Sequence, residues 1–153
     1  MNIKKLEIQD LNDLTELFDY NNVEKMISEC TYSIQNRIID IFVLYDKNVL
    51  IGELRVKYES DDQSFAIRGK RAYLYAFRVR ENLRNKGYGT YLLNAVLAEL
   101  KANGYSEFTV GVEDDNTRAL HMYQTLGFDD FLLRKQEEYQ GDKYEYNLYL
   151  KRS

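Results

Sequence analysis

The chain has no proline, one cysteine, one histidine and no apolar run long enough to cross a bilayer. Without proline, its turns must rely on Gly, Asn and Asp. Cys30 alone excludes an intramolecular disulfide framework, and no Cys/His cluster has zinc spacing, so no metal site is expected. The first residues, Met1 to Ile8, are polar and alternating and carry no apolar signal core. A cytoplasmic protein with no membrane partner is expected. Basic residues are dispersed and outnumbered, with 21 Lys and Arg against 25 Asp and Glu, a net charge of −4 and a pI of about 5.1. That balance argues against a general nucleic-acid binder and tolerates a cationic amine ligand.

What is present suffices for a real core. At 153 residues and 18.2 kDa, residues 1–153 are most simply one domain. Ile3 to Gln9 reads as a strand, followed by a helix capped by Asp10 with Leu11, Leu14, Leu17 and Phe18 as its apolar positions. Asn21-Asn22 interrupts it, and Val23 to about Gln35 forms a second helix. Ile38–Tyr45 and Val49–Tyr58 are rich in β-branched and aromatic residues and predict an antiparallel pair across Asp46-Lys47-Asn48. Residues 59–70 lack a period and are expected to form a mobile, substrate-side loop. A strand over Tyr73–Val79, a helix ending near Asn103-Gly104, a strand over Glu107–Val112 and a helix over Thr117–Leu126 follow. Phe128–Arg134 and the alternating run of residues 144–150 give two late strands, the second a candidate sheet edge through which a homodimer could form. The pattern predicts an α/β fold with a mixed sheet and helices on both faces.

The most informative segment is Arg84-Asn85-Lys86-Gly87-Tyr88-Gly89-Thr90, between the strand Tyr73–Val79 and the helical run Leu92–Leu97. A strand feeding a glycine-rich turn and then a helix aims backbone N–H groups and the positive helix end at one point, where a phosphate fits. Gly87 and Gly89 permit positive φ and close ligand approach, while Arg84 and Lys86 add charge. The spacing is neither a Walker loop nor a three-glycine dinucleotide fingerprint. A second constellation runs from Val112 to Phe128: a strand end, Asn116, a short helix with Ala119 and Tyr123, then Gly127-Phe128. Taken alone, Asn116 is an ordinary helix cap and Tyr123 lies on an apolar helix face.

Together, Arg-x-x-Gly-x-Gly and the Asn–Tyr–Gly-Phe segment resemble the GNAT superfamily of N-acetyltransferases, specifically from about Tyr73 to Phe128 and elsewhere by element order. The resemblance implies a single GNAT-like domain with a mostly antiparallel sheet and a splayed central strand pair. It implies acetyl-CoA as acyl donor, held by Phe77, Arg78 and Val79, by the loop Arg84, Asn85, Lys86, Gly87, Tyr88, Gly89 and Thr90, and by Asn116 and Tyr123. Backbone N–H groups of Phe77–Val79 would stabilise the oxyanion, and Tyr123 would protonate the leaving thiolate.

The acceptor amine must be neutral to attack. With a pKa of about 10.4, deprotonation at pH 7 costs about 4.6 kcal/mol. Some relatives use a glutamate where this chain has Tyr73, so Glu53 on the preceding strand and Glu113 at the mouth of the split are the substitute base candidates. His121 falls on another helix face than Tyr123, and Cys30 lacks a neighbouring base in sequence. The expected reaction is direct acetyl transfer to a primary amine, with a small cationic molecule favoured. Fourteen tyrosines and an acidic balance suit such a ligand. The alternatives are acetylation of a protein N-terminus or lysine, and a non-catalytic CoA-binding or partner-binding module on the same fold.

Overall fold

A computed structural model describes all 153 residues, Met1–Ser153. Its strands are β1 (Asn2–Lys5), β2 (Ile39–Asp46), β3 (Val49–Lys57), β4 (Arg71–Val79), β5 (Glu107–Val112), β6 (Asp130–Tyr139) and β7 (Asp142–Arg152). The α-helices are α1 (Val23–Gln35), α2 (Tyr88–Ala102) and α3 (Thr117–Thr125). The strands hydrogen-bond in the order β1-β2-β3-β4-β5-β7-β6. Pairs β1–β2, β2–β3, β5–β7 and β6–β7 are antiparallel, and β4–β5 is parallel. That parallel pairing runs only from Arg71–Glu107 to Leu74–Val110. The chain thus has the mixed, mostly antiparallel sheet that its resemblance implied. Contacts divide it into two units, each drawn from two stretches: Met1–Lys57 with Tyr75–Asn103, and Tyr58–Leu74 with Gly104–Ser153.

In the first unit, the expected helix after β1 is instead a 3-10 helix over Ile8–Glu16, with Glu7 rather than Asp10 at its N-cap. The spacing explains the difference. Ile8, Leu11, Leu14 and Leu17 recur every third residue, the period of a 3-10 helix, and Leu11 and Leu14 are fully buried. Asn22 caps α1 by accepting a hydrogen bond from the Lys25 N–H at 3.0 Å. Behind it, Met26 and Cys30 pack with Ile39, Ile41 and Val43, one alternating face of β2. Lys47 and Asn48, both left-handed with φ of 51° and 66°, make the tight β2–β3 turn. Leu92, Leu93, Val96, Leu97 and Leu100 form the buried stripe of α2, which packs on β3 and β2.

The second unit corrects two expectations. The stretch before β4 is pinned rather than loose: Phe65 and Ala66 are buried, Thr109 Oγ1 donates to the Phe65 carbonyl at 2.7 Å, and Arg71 Nη1 donates to the Ser64 carbonyl at 3.0 Å. Its aperiodic sequence concealed a single anchoring aromatic. The late strand β7 is also not an edge, because it lies between β5 and β6. Its alternation places Tyr146, Leu148 and Leu150 inward, and the edge belongs to β6. Gln140 and Gly141, with φ of 51° and 87°, close the long β6–β7 hairpin. No helix of the chain is long and apolar enough to cross a membrane.

Candidate active site

The phosphate-type loop lies in the first unit. Gly87 is the N-cap of α2 at φ 87°, and a Cβ there would meet nothing within 4 Å. Asn85 is left-handed as well, at φ 64°. The first helical turn has no upstream carbonyls for its N–H groups and carries no acidic residue, so this helix end retains its attraction for an anion. Arg84, Asn85, Lys86 and Gly87 are exposed, and Arg84 Nε donates to the Val79 carbonyl at 3.1 Å, tying the loop to the end of β4.

Gly89 serves a different purpose from the one its sequence suggested. Its φ is not positive; a Cβ there would lie 3.3 Å from Phe77 Cζ and 3.5 Å from Val79 Cγ2. The missing side chain lets the first turn of α2 pack on β4, with Phe77 and Val79 facing the helix. Just before them Ala76 has φ 50°, a left-handed residue inside a strand. Such a residue interrupts the regular ladder and redirects the peptide groups that follow, here those of Phe77 to Val79. Nothing in the alternating sequence marks Ala76, because the break is a property of the backbone path.

Arg78 projects away from α2 and joins a buried charged network. Glu53 is fully buried; its Oε1 accepts from Arg78 Nη1 at 2.9 Å and its Oε2 from Arg55 Nε at 3.1 Å. Arg55 Nη2 donates to the Tyr20 hydroxyl at 2.8 Å, and the Arg78 guanidinium stacks 4.0 Å from the centre of the Phe18 ring. Both Glu53 oxygens are therefore engaged by cations, an arrangement that suits holding Arg55 and Arg78 in place better than collecting a proton from an amine. Cys30 belongs to the same cluster, and burial raises its thiol pKa against the pull of Arg55, so it stays a protonated thiol.

The second unit carries the other half of the motif. Asn116 caps α3, its Oδ1 accepting from the Ala119 N–H at 3.2 Å, so its amide NH₂ is the group left for other contacts. Tyr123 is buried and stands edge-on to Phe128, with ring centres 5.6 Å apart. Burial alone pushes its phenol pKa well above the usual value. The hydroxyl is therefore fully protonated at neutral pH, the state an acid needs, although a weaker one. Glu113 is exposed just past β5, and its carbonyl accepts from the Asn116 N–H at 3.1 Å. Gly111 is explained by packing: a Cβ there would sit 2.6 Å from the Tyr146 ring. His121 is exposed, as expected.

A third group was missed in the sequence, on the β6–β7 hairpin. Glu137 accepts from the Tyr146 hydroxyl at 2.7 Å and from the Tyr144 hydroxyl at 3.1 Å. Its signal was available only as alternation, Lys135 and Glu137 on one strand and Tyr144 and Tyr146 on the next, and needed the register to become a site.

The acetyltransferase (GNAT) family matches residues 8–128. A ribosomal-protein bS18-alanine N-acetyltransferase of Haemophilus ducreyi is 30% identical over 115 residues, 65% of this chain and 79% of that protein. A mycothiol acetyltransferase of Gordonia bronchialis is 44% identical over 55 residues, 36% of this chain, and the match spans only 18% of that longer protein. Among solved structures, the PaiA N-acetyltransferase of Thermoplasma acidophilum in complex with coenzyme A superposes with a TM-score of 0.70 at 22% identity, covering 99% of this chain and 98% of that one. A glycine-opened helix end after an interrupted strand, a capped helix carrying a buried tyrosine and a family match across most of the chain converge on one conclusion: this chain belongs to the GNAT family of acetyltransferases.

Proposed function

We propose that residues 1–153 form one N-acetyltransferase domain that moves the acetyl group of acetyl-CoA directly to a primary amine of a small cationic molecule. The observation that carries the reading is the start of α2, where Gly87 leaves open space beside an acid-free first turn flanked by Arg84 and Lys86. A pyrophosphate fits that donor set. In this reading the loop Arg84–Thr90 holds the diphosphate, and the peptide N–H groups of Phe77–Val79 meet the charge that develops on the thioester oxygen. Asn116 binds the donor's arm through its NH₂, and Tyr123 gives its proton to the departing thiolate. Glu113, exposed and engaged by no arginine, is the better base of the two carboxylates; Glu53 positions Arg55 and Arg78. A buried, protonated cysteine accords with a cytoplasmic setting.

A second acceptor class has its own support. The relative from Haemophilus ducreyi is named for a protein alanine, and the match spans 79% of it, so a protein N-terminus is the alternative substrate. Calorimetric titration with acetyl-CoA, followed by free-thiol release with polyamines, aminoglycosides and alanine-terminated peptides, tests both. Binding with release on small amines supports the main reading, and release only on peptides supports the second. Binding without release on any amine indicates a non-catalytic CoA-binding module, and absence of binding refutes all three.

A further inference from the structure

On the β6–β7 hairpin of the second unit, an ammonium group lies over the face of one aromatic ring and beside one carboxylate. Register sets Lys135 opposite Tyr146 and Glu137 opposite Tyr144, so all four side chains leave one face of the hairpin. The Lys135 Nζ lies 4.9 Å from the centre of the Phe65 ring and 3.9 Å from Glu137 Oε1. The Tyr144 and Tyr146 rings stack with centres 6.0 Å apart, and Phe65 stands edge-on to Tyr146 at 6.5 Å.

The anchor is fixed and its occupant is not. Phe65 and Tyr146 are each 4% exposed, and the two phenol donors hold the Glu137 carboxylate in one orientation. Those two bonds leave acceptor capacity on both oxygens. Lys135, by contrast, is 43% exposed and meets Glu137 at the outer limit of an ion pair, a contact of little strength at a surface. Aromatic faces with a fixed carboxylate are what a desolvated alkylammonium group seeks. Glu113 adds a second negative charge near Tyr144.

We propose that this face is the recognition site for an alkylammonium group of the amine substrate other than the amine that is acetylated, and that Lys135 is an internal occupant which the ligand displaces. The inference rests on the N-acetyltransferase reading and deepens it by assigning the residues that select the acceptor. Glu137 is its specificity-determining charge.

The test is calorimetric titration of the protein with spermidine and, separately, with Nα-acetyl-lysine amide, which carries the same ammonium group on an amino-acid side chain. Lys135→Ala removes the competitor and is expected to tighten binding about threefold to tenfold. Glu137→Gln is expected to weaken it at least about tenfold, the loss of a charge-assisted partner. Tyr144→Phe, which keeps the ring, should weaken it about twofold to threefold. The stronger of the two ligands identifies the acceptor's source. Acetyl-CoA affinity measured on the same samples reports folding. Unchanged affinity in Lys135→Ala and Glu137→Gln proteins that still bind acetyl-CoA would overturn the proposal, as would failure of both ligands to bind Lys135→Ala. Ammonium binding that depends on Glu137, in a wild-type protein that does not bind acetyl-CoA, would support the ammonium site and overturn the transferase reading.

Discussion

Two carboxylates, one in each unit, show how the same side chain becomes either framework or recognition surface. Glu53 has no exposure and faces two guanidinium groups at 2.9 and 3.1 Å. Glu137 is 37% exposed and is held by two neutral phenols, with one distant lysine at 3.9 Å. Charge neutralisation by arginine spends the first carboxylate on structure. Phenol donors orient the second while leaving its negative charge in place. A carboxylate's partners, more than its position in sequence, thus decide whether it is available for chemistry.

The sharpest way to break this contrast is to remove each charge in turn. Glu53→Gln leaves two partly buried arginines facing a fully buried site without its counter-charge and is expected to destabilise the fold by about 3 kcal/mol. Glu137→Gln, half at the surface, should cost no more than about 1 kcal/mol. Denaturant unfolding of both variants checks the pair, and equal losses would mean that Glu137 is framework too. Tyr123→Phe comes next: the ring and its packing on Phe128 remain, so stability and acetyl-CoA affinity should hold while turnover falls at least about tenfold. Turnover equal to wild type across pH would exclude the phenol as the acid.

The two loop glycines offer a smaller and more local contrast. Gly87→Ala places a Cβ in open space but at φ 87°, at a cost of about 1 kcal/mol from backbone strain. It should also weaken acetyl-CoA binding by narrowing the approach to the helix end. Gly89→Ala has ordinary φ and instead crowds Phe77, so its effect should appear first in stability, read from the thermal midpoint. The opposite assignment of the two effects would reverse their roles.

Alkaline titration gives the smallest effect and sharpens the comparison of units. Burial pushes Tyr75 up to about 12 although Arg55 opposes the shift, and burial pushes Tyr144 up to about 12 with help from Glu137. An unfolded phenol ionises near pH 10. The folded state therefore keeps protons that the unfolded state loses, so stability is present below about pH 10 and declines as pH rises towards 12. Tyrosinate absorbance should show the delay. In Glu137→Gln, Tyr144 should ionise earlier while Tyr75 is unchanged, and a uniform shift of both would deny that Glu137 acts locally.

Much of this was readable from local pattern. The bounds of α1 and β5 follow from amphipathic or alternating runs, and α2 stops where Gly104 takes φ 93°. Asn116 reads as a cap because capping is a local contact, and it caps. Local pattern misled where a non-local partner made the choice. Gly111 and Gly89 are glycines because Tyr146, Phe77 and Val79 occupy the space a Cβ would need. Phe65 lies in a segment without periodicity, yet it is a buried anchor, because its partners come from β4 and β7. The run of leucines every third residue was legible, but α-helical spacing was the wrong template for it.

The sequence by itself determined the order of most elements, the glycine-opened turn into α2 and the tyrosine-bearing helix, all of which depend on residues a few positions apart. Tertiary structure alone decided which carboxylate is neutralised and which is displayed. Glu53 lies 25 positions from Arg78, and Glu137 lies 9 from Tyr146 across a hairpin. Electrostatic environment is set by what stands within a few ångströms in space, and folding brings those groups together from distant parts of the chain.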